Sequence, residues 1–317
     1  MKNIAYIMAL SKIKGLGKKT LHSIVNDVLQ LSDFDDVYLL LEQLCSRYKR
    51  IQKIDKDQFE RLFSDSMKIL ETQTLMGIKT IKMGDLEYPN SFYNLEQPPL
   101  YFFLKGDIGA LNKDGIAVIG TRHVSDHGRK VGEHLGKYLA GKNWSVISGL
   151  ADGCDTSGHV GCLQGNGITI AIVGTPLDQV YPKSNEHLQE KILANNGCVI
   201  SEYPIGAATS PYNFIERDRL QCGLAKGLIV VETGLKGGSY HAINGAFSLN
   251  KPVACYQFNE SHYASYPNSL GNQKMIIDGK AIPLYDAYSI DCFLNKCSDL
   301  PQSTDSNNRF EMISLFT

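Results

Sequence analysis

An arginine ends the segment Gly120-Thr121-Arg122, which directly follows an apolar run at 116–119. A short, uninterrupted apolar run is typical of a strand that is buried on both faces of a parallel sheet. A side chain at 125–126 can cap the helix that follows, and the first N–H groups of that helix carry partial positive charge. An anion at this helix N-terminus would meet Thr121 and Arg122. The segment therefore predicts a phosphate site, although an arginine in this position can also pair with a surface carboxylate.

A second glycine loop, 234–239, follows the apolar run 228–232 and opens another helix. Its Gly-Gly-Ser sequence favours a backbone anion site on the same crevice, and a plain tight turn is the alternative. The chain contains no Walker A pattern, and no GxGxxG follows a predicted strand. ATP hydrolysis and a standard dinucleotide site are therefore not supported.

These loops require a sheet to position them. The apolar runs that predict its strands are 116–119, 144–147, 168–173, 198–201, 228–232 and 253–256. Helical segments separate the runs, which predicts a doubly wound, mostly parallel α/β sheet with its ligand crevice at the carboxyl ends of the strands. The small and polar residues that follow the strands are the predicted lining, and Ser148 and Gly149 belong to it together with Gly120, Thr121 and Arg122.

Acid/base catalysis is less well supported than anion binding. Asp155 is predicted to cap a helix and His159, one turn later, to lie in the core. Glu202 and Glu232 end strands and are expected to pair with nearby arginines. We therefore expect a binding protein rather than an enzyme.

The length, net charge and cysteine content limit the classes of protein to which this chain can belong. With 317 residues and a net charge of -1, the chain holds one large or two ordinary domains, and any contact with nucleic acid needs a local basic patch. The eight cysteines lack CxxC spacing, which favours a reducing compartment and predicts no metal site. No apolar run has membrane-spanning length, so a cytoplasmic protein without a membrane partner is expected.

The chain divides by pattern into a helical N-terminal domain at 1–78, the sheet domain at 79–290 and a polar C-terminal tail at 291–317. In the first domain, the sequence KIKGLGKKTLHSIV resembles a helix-hairpin-helix turn. Its possible DNA contacts are Gly15, Gly17, Lys18 and Lys19, whose backbone N–H groups and charges suit a phosphate. A plain connector between helices is an equal alternative.

Several ordered motifs resemble the DprA/Smf family of DNA-processing proteins. They are GTRHVSDHGRKVGEHLGKYLA, SVISGLADGCDTSGHVGCLQGNGITIAIVGTPLDQVYPKSNEHLQEKI, SEYPIG, NFIERDRLQCGLAKGLIVVET and KGGS. The resemblance covers roughly 80–290 and implies an extended Rossmann-like domain after a small SAM-like helical domain. It further implies a homodimer without cofactors that binds and protects single-stranded DNA and loads the RecA recombinase during natural transformation.

The resemblance also assigns residues to a strand-binding pocket. The assigned positions are Arg122, Lys183, Asn213, Arg217, Arg219, Gly238 and Ser239. The nearby Tyr181 and Phe214 are candidates for base stacking, and a place in the core is an equal alternative for each. The chain departs from the family pattern at Asp152, Ile215, Asp218 and Ala242. The two aspartates add negative charge beside the predicted pocket.

Two other functions remain open from the sequence. The LOG group of nucleotide N-glycoside hydrolases shares the fold superfamily, but its catalytic glutamate position is Asn244 here. The same crevice also suits a sensor that binds one small nucleotide.

Overall fold

The computed structural model describes residues 1–31 and 33–299, and its contacts define two compact units. Unit 1 comprises Met1–Asp85 and Glu96–Phe102, and unit 2 comprises Leu86–Leu95 and 103–299. Unit 1 therefore extends past the predicted boundary at residue 78, whereas unit 2 lies entirely after it. Within the described ranges, no helix is long and apolar enough to cross a membrane.

Unit 1 is mainly helical. Its elements are α1 (Lys2–Ser11), α2 (Lys18–Gln30), α3 (Phe34–Arg47), α4 (Lys56–Leu75) and β1 (Ile78–Lys82). Asp55 caps α4 through a capping box with Gln58, which satisfies two backbone N–H groups at the start of the helix. The core of the unit includes Tyr6 and Phe59, both fully buried. The helical N-terminal region that the sequence predicted is confirmed.

Unit 2 contains the sheet. Its strands are β2 (Tyr101–Gly106, from Phe103 on), β3 (Gly115–Ile119), β4 (Ser145–Ser148), β5 (Thr169–Ile172), β6 (Cys198–Ser201), β7 (Gly227–Val230), β8 (Val253–Tyr256) and β9 (Ile282–Leu284). Its helices are α5 (Asp126–Gly141), α6 (Cys154–Gln164), α7 (Glu186–Ala194), α8 (Pro211–Leu224), α9 (Ser239–Ser248), α10 (Glu260–Ser265), α11 (Leu270–Ile277) and α12 (Ala287–Ser298).

The strand order in this unit is β2-β6-β5-β4-β3-β7-β8-β9, with every pair parallel except β2 and β6. The chain runs outward from β3 to β6 and then returns to place β7 on the other side of β3. This reversal is a topological switch point, where open α/β sheets bind ligands. The predicted doubly wound sheet is confirmed. The six predicted strands are supplemented by β2, which is antiparallel, and the short β9.

Close packing of α5 against α6 fixes the position of the loop after β3. A Cβ at Gly136 would collide with the backbone of Gly158, and one at Gly161 would collide with the backbone of Glu133. Only glycine allows the two backbones to approach this closely.

The end of unit 2 differs from the prediction of a polar tail from residue 291. Helix α12 crosses that boundary and buries Ile290, Phe293, Leu294 and Cys297 in the core of the unit. These residues recur at helical spacing on one face, so the helix belongs to the sheet unit. The rest of the predicted tail, 300–317, lies outside the described residues.

Candidate nucleic-acid interface

A cavity of about 520 Å³ opens at the switch point. Gly120 and Thr121 after β3 line it on one side, and Thr233 and Gly234 after β7 line it on the other. Helix α8 and the first turn of α9 supply further walls. The cavity therefore lies where the strand pattern predicted the ligand crevice.

The turn after β3 presents Arg122 to this cavity. Hydrogen bonds hold the turn, since Thr121 N–H donates to Glu232 O at 2.7 Å and Cys154 N–H donates to Thr121 O at 3.1 Å. The Arg122 side chain is exposed, and its guanidinium carbon lies 5.8 Å from the ring centroid of Phe214. In the part of the chain that the structure describes, no carboxylate pairs with Arg122. Its charge is therefore available to a ligand.

The N-terminus of α5 is already occupied, which corrects the prediction that it faces an external anion. The hydroxyl of Ser125 accepts a hydrogen bond from Gly128 N–H at 2.9 Å and donates one to Glu232 Oε2 at 2.7 Å. Glu232 is 1% exposed and also accepts from Ser125 N–H. Burial raises the pKa of Glu232. Of the two predicted capping residues, 125 and 126, Ser125 is the cap, and a carboxylate of the protein itself occupies the anion position at this helix end.

The N-terminus of α9 differs in that Gly237, Gly238 and Ser239 line the cavity. In the first hydrogen bonds of this turn, Tyr240 N–H donates to Gly237 O and His241 N–H donates to Gly238 O. Among the described residues, no side chain caps this helix. The first N–H groups of α9 therefore suit an anion in the cavity, as the glycine loop predicted.

One face of α8 forms the floor of the cavity. Arg217 is 6% exposed and donates to Ile172 O, and its Nε lies 2.9 Å from Asp218 Oδ1. Its Nη2 is 4.0 Å from Asp155 Oδ2. Burial raises the pKa of Asp155 and raises that of Asp218 to about 6. Arg217 lines the cavity and two carboxylates share its charge, so its contact with a phosphate stays a prediction.

Two other predicted basic residues do not line the cavity. Arg219 Nη2 donates to both carboxylate oxygens of Glu202, and it also lies 4.0 Å, through Nε, from Glu216. Lys183 is exposed and pairs with Glu186. The expected pairing of Glu202 with an arginine is confirmed, whereas Glu232 bonds to Ser125 instead.

The remaining predicted residues hold the backbone in place. Ser148 is fully buried and donates to Val118 O at 2.6 Å, and Gly149 N–H donates to Asp155 Oδ2 at 3.0 Å. A Cβ at Gly149 would overlap the guanidinium of Arg217. The side-chain oxygen Oδ1 of Asn213 accepts from Ser210 Oγ at the start of α8. None of these three residues lines the cavity, although Gly149 is in close contact with Arg217, which does.

An aromatic pair and an acid border the cavity. Tyr181 is 49% exposed, and its ring centroid lies 5.2 Å from that of Phe214. Both rings also line a small recess of about 30 Å³ next to Asp152 and Arg122. The Asp152 carboxylate accepts from Ser184 Oγ at 3.0 Å. The two predicted stacking candidates are therefore brought together at the mouth of the cavity.

Asp155 and His159, the acid and the histidine that the sequence placed near each other, are both buried. Gly153, not Asp155, is the N-cap of α6, and Asp155 lies in the first turn, where it accepts backbone bonds. His159 is buried beside Thr169, and burial lowers its pKa to about 3, as expected of a core histidine. Asn244 is exposed on α9 and does not line the cavity. Within the described residues, no cluster of His, Cys, Asp or Glu is arranged to hold a metal.

Sequence reasoning did not single out four polar residues of the lining, namely Gln221, Lys236, His241 and Asn268. Lys236 lies in the glycine loop, so its position could have been inferred from that motif. His241 is the third residue of α9. Asn268 comes from a distant segment and donates to His123 O at 3.3 Å, and no local pattern marks it.

The predicted N-terminal contacts lie in the turn between α1 and α2 of unit 1. Gly15 has a φ of 87°, and a Cβ there would collide with the carbonyl of Arg50. Gly17 is the N-cap of α2, and Lys18 and Lys19 form its first turn. Gly15 is thus required by the turn itself, whatever the turn contacts.

Comparison with known sequences identifies relatives. The sequence model of DNA recombination-mediator protein A matches residues 79–295. Protein Smf of Synechocystis sp. is 30% identical over 255 residues, which cover 78% of this chain and 63% of that protein. The DNA processing protein DprA of Streptococcus pneumoniae is 38% identical over 166 residues, covering 52% of this chain and 58% of that protein. The chain thus spans less than two thirds of these curated relatives.

Solved structures show the same fold. The X-ray structure of DprA from Streptococcus pneumoniae superposes with a TM-score of 0.74 at 24% identity, covering 92% of this chain and 97% of that one. The structure of DNA processing protein A from Helicobacter pylori, a study of its single-stranded DNA binding mode, gives a TM-score of 0.61 at 25% identity. It covers 69% of this chain and 96% of that one. Because the family model matches most of the chain, this protein belongs to the DNA recombination-mediator protein A family, DprA/Smf.

Proposed function

We propose that this protein binds single-stranded DNA in the switch-point cavity, protects the strand and delivers it to the RecA recombinase in transformation or another DNA-processing reaction. The same proposal includes a homodimer and a binding role rather than a catalytic one. Family membership supports it, and the Helicobacter pylori relative is a single-stranded DNA-binding protein. RecA delivery, protection and dimerisation come from the family resemblance.

The observation that carries the proposal is the position of Arg122. It is an exposed cation at the mouth of the cavity, beside the aromatic pair Tyr181 and Phe214 and across from the open N-terminus of α9. Cations that follow a phosphate backbone, combined with aromatic rings for the bases, are the usual means of binding single strands without sequence readout.

Fluorescence anisotropy of a labelled oligo-dT, with matched duplex and at several salt concentrations, tests the DNA-binding part. We expect salt-sensitive binding that favours the single strand. Arg122→Ala should weaken it and flatten the slope of log affinity against log salt by about 0.7, the value for one phosphate on a single strand. Arg129→Ala is the matched control because Arg129 lies on α5 and pairs with Glu133. Equal losses in both variants would contradict the assignment of the cavity.

Lys183→Ala tests a residue that the family resemblance assigns to the DNA-binding pocket but that lies outside the cavity. Because Lys183 pairs with Glu186 and does not line the cavity, we expect a smaller loss of affinity than for Arg122→Ala. A loss as large as that of Arg122→Ala would extend the interface beyond the cavity.

The RecA part requires a separate assay. RecA ATPase activity on a strand already coated with single-strand-binding protein should rise when this protein is added. Arg122→Ala should reduce that increase. Strand binding without any increase would limit the function to binding and protection.

A further inference from the structure

One carboxylate of the cavity wall lacks a second partner. Asp218 lies on α8 and lines the cavity, and 16% of its side chain is accessible. Its Oδ1 accepts from Arg217 Nε at 2.9 Å. Among the described residues, no donor bonds to its Oδ2. Each carboxylate oxygen accepts two hydrogen bonds, so Asp218 retains acceptor capacity toward the cavity.

Phe214 places a planar surface next to this acceptor. The two residues are four apart on α8, so their side chains lie on the same face one turn from each other. Both line the cavity, which is of a size that holds small ligands. A nucleobase packed against Phe214 would therefore point an edge toward the Asp218 carboxylate.

The chemistry of that edge distinguishes the four bases. Guanine offers two adjacent donors, N1–H and the exocyclic amine, which match the two oxygens of a carboxylate. Adenine and cytosine each offer one amine beside a ring acceptor, and thymine offers N3–H between two carbonyls. An ionised carboxylate is attracted to donors and repelled by acceptors, so it favours guanine.

We propose that Asp218 reads the base in the cavity, so that this protein favours guanine over the other bases at one position of the bound strand. The inference rests on the proposed function and adds a base preference to it. The groups that face Asp218 are Arg217, Asp155, His241 and Cys222. Arg217 neutralises part of the negative charge, so the carboxylate repels a nearby phosphate less.

The test compares oligonucleotides by competition anisotropy. One is oligo-dT, a second carries guanine at every third position, and a third carries hypoxanthine in place of guanine. Hypoxanthine lacks the exocyclic amine and keeps the rest of the base. We expect the guanine strand to bind at least about fivefold more tightly than oligo-dT, with the hypoxanthine strand in between.

Asp218→Asn is the decisive variant because it keeps an acceptor for Arg217 and turns the other carboxylate oxygen into a donor. It should abolish the guanine preference. Asp152→Asn is the matched control, since it removes the same charge beside the recess and should raise affinity for all three strands equally. Circular dichroism checks that both variants fold. A guanine preference that survives in Asp218→Asn, or wild-type strand binding without any preference, would overturn the inference.

A guanine base can also come from a free nucleotide. Calorimetric titration with GMP and with TMP distinguishes this source. Tight GMP binding that is lost in Asp218→Asn, together with no strand binding, would support the guanine reading and reject the proposed function. No binding of the strands or of either nucleotide would reject both.

Discussion

Two helix N-termini of unit 2 differ in what fills the position where an anion would bind. At α5, Ser125 caps the helix and the buried Glu232 carboxylate occupies the anion position. At α9, glycines form the entry, and within the described ranges no side chain caps it. Both follow a buried strand and a glycine turn. The comparison shows that this pattern creates an anion position, while a distant residue decides whether a ligand can reach it.

Gly128→Ala tests how tightly the α5 end is filled. An added Cβ would overlap Glu232 Oε2, so we expect the free energy of unfolding to fall by about 2 to 3 kcal/mol in urea denaturation. Gly141→Ala on the same helix has open space and should change stability by less than about 1 kcal/mol. Equal effects at both positions would mean that Glu232 does not seal this end.

Ser239→Glu tests the open end by giving α9 its own carboxylate. The side chain would compete with a strand phosphate at the helix N-terminus, and we expect strand affinity to fall about tenfold. Ser248→Glu adds the same charge at the opposite end of α9 and should leave affinity nearly unchanged. Anisotropy measures both variants, and similar losses would point to net charge alone.

The pH dependence of stability tests the ionisation of Asp218 while Glu232 is left unchanged. Burial raises the pKa of Asp218 to about 6, above the 3.8 of an ordinary aspartate. The folded protein therefore holds this proton more tightly than the unfolded chain does. Ionised Asp218 thus lowers stability at neutral pH, and the loss diminishes as the pH falls through 6 and is gone below about 4.

The measurement is urea denaturation of the wild type and of Asp218→Asn at about pH 7 and about pH 5. Between these values the wild type should gain on the order of 1 kcal/mol relative to the variant, which keeps Glu232 and loses only the titration of Asp218. If the free energies of unfolding of the wild type and the variant change with pH in parallel, the ionisation belongs to another residue.

Lys236→Ala has the smallest expected effect. Lys236 is exposed in the loop before α9 and lines the cavity, so its loss should weaken strand binding about threefold and flatten the salt slope by no more than about 0.7. Lys130→Ala on the exposed surface of α5 is the control. A larger loss of affinity in Lys130→Ala than in Lys236→Ala would mean that the strand lies closer to α5 than to the loop before α9.

Much of the fold could be predicted from the sequence because strand and helix patterns are local. The runs at 198–201 and 253–256 match β6 and β8 residue for residue. The antiparallel β2 was missed because nothing within YFFLKG indicates that it pairs with β6, almost a hundred residues later. Helix α12 was missed because the polar residues that follow it obscured its apolar spacing.

The site was predicted less completely, for a related reason. Arg122 and the glycines of the α9 loop follow strands, and strand ends define the crevice in this architecture. Glu232 fills the α5 end from 107 residues away in the chain, so no local pattern reveals the hydrogen bond. Arg217 has the same residue type as Arg122, but it is buried on α8 beside Asp155 and Asp218, and no local pattern shows those contacts.

The bonds around Glu232 also affect the thermodynamics of binding. Its main-chain carbonyl accepts from Thr121 and its carboxylate from Ser125, so residues on both sides of Arg122 are hydrogen-bonded to Glu232, two residues after β7. This turn is therefore ordered when the chain folds, before any ligand arrives. Little backbone entropy is left to lose on association, which favours a rigid, preformed binding surface.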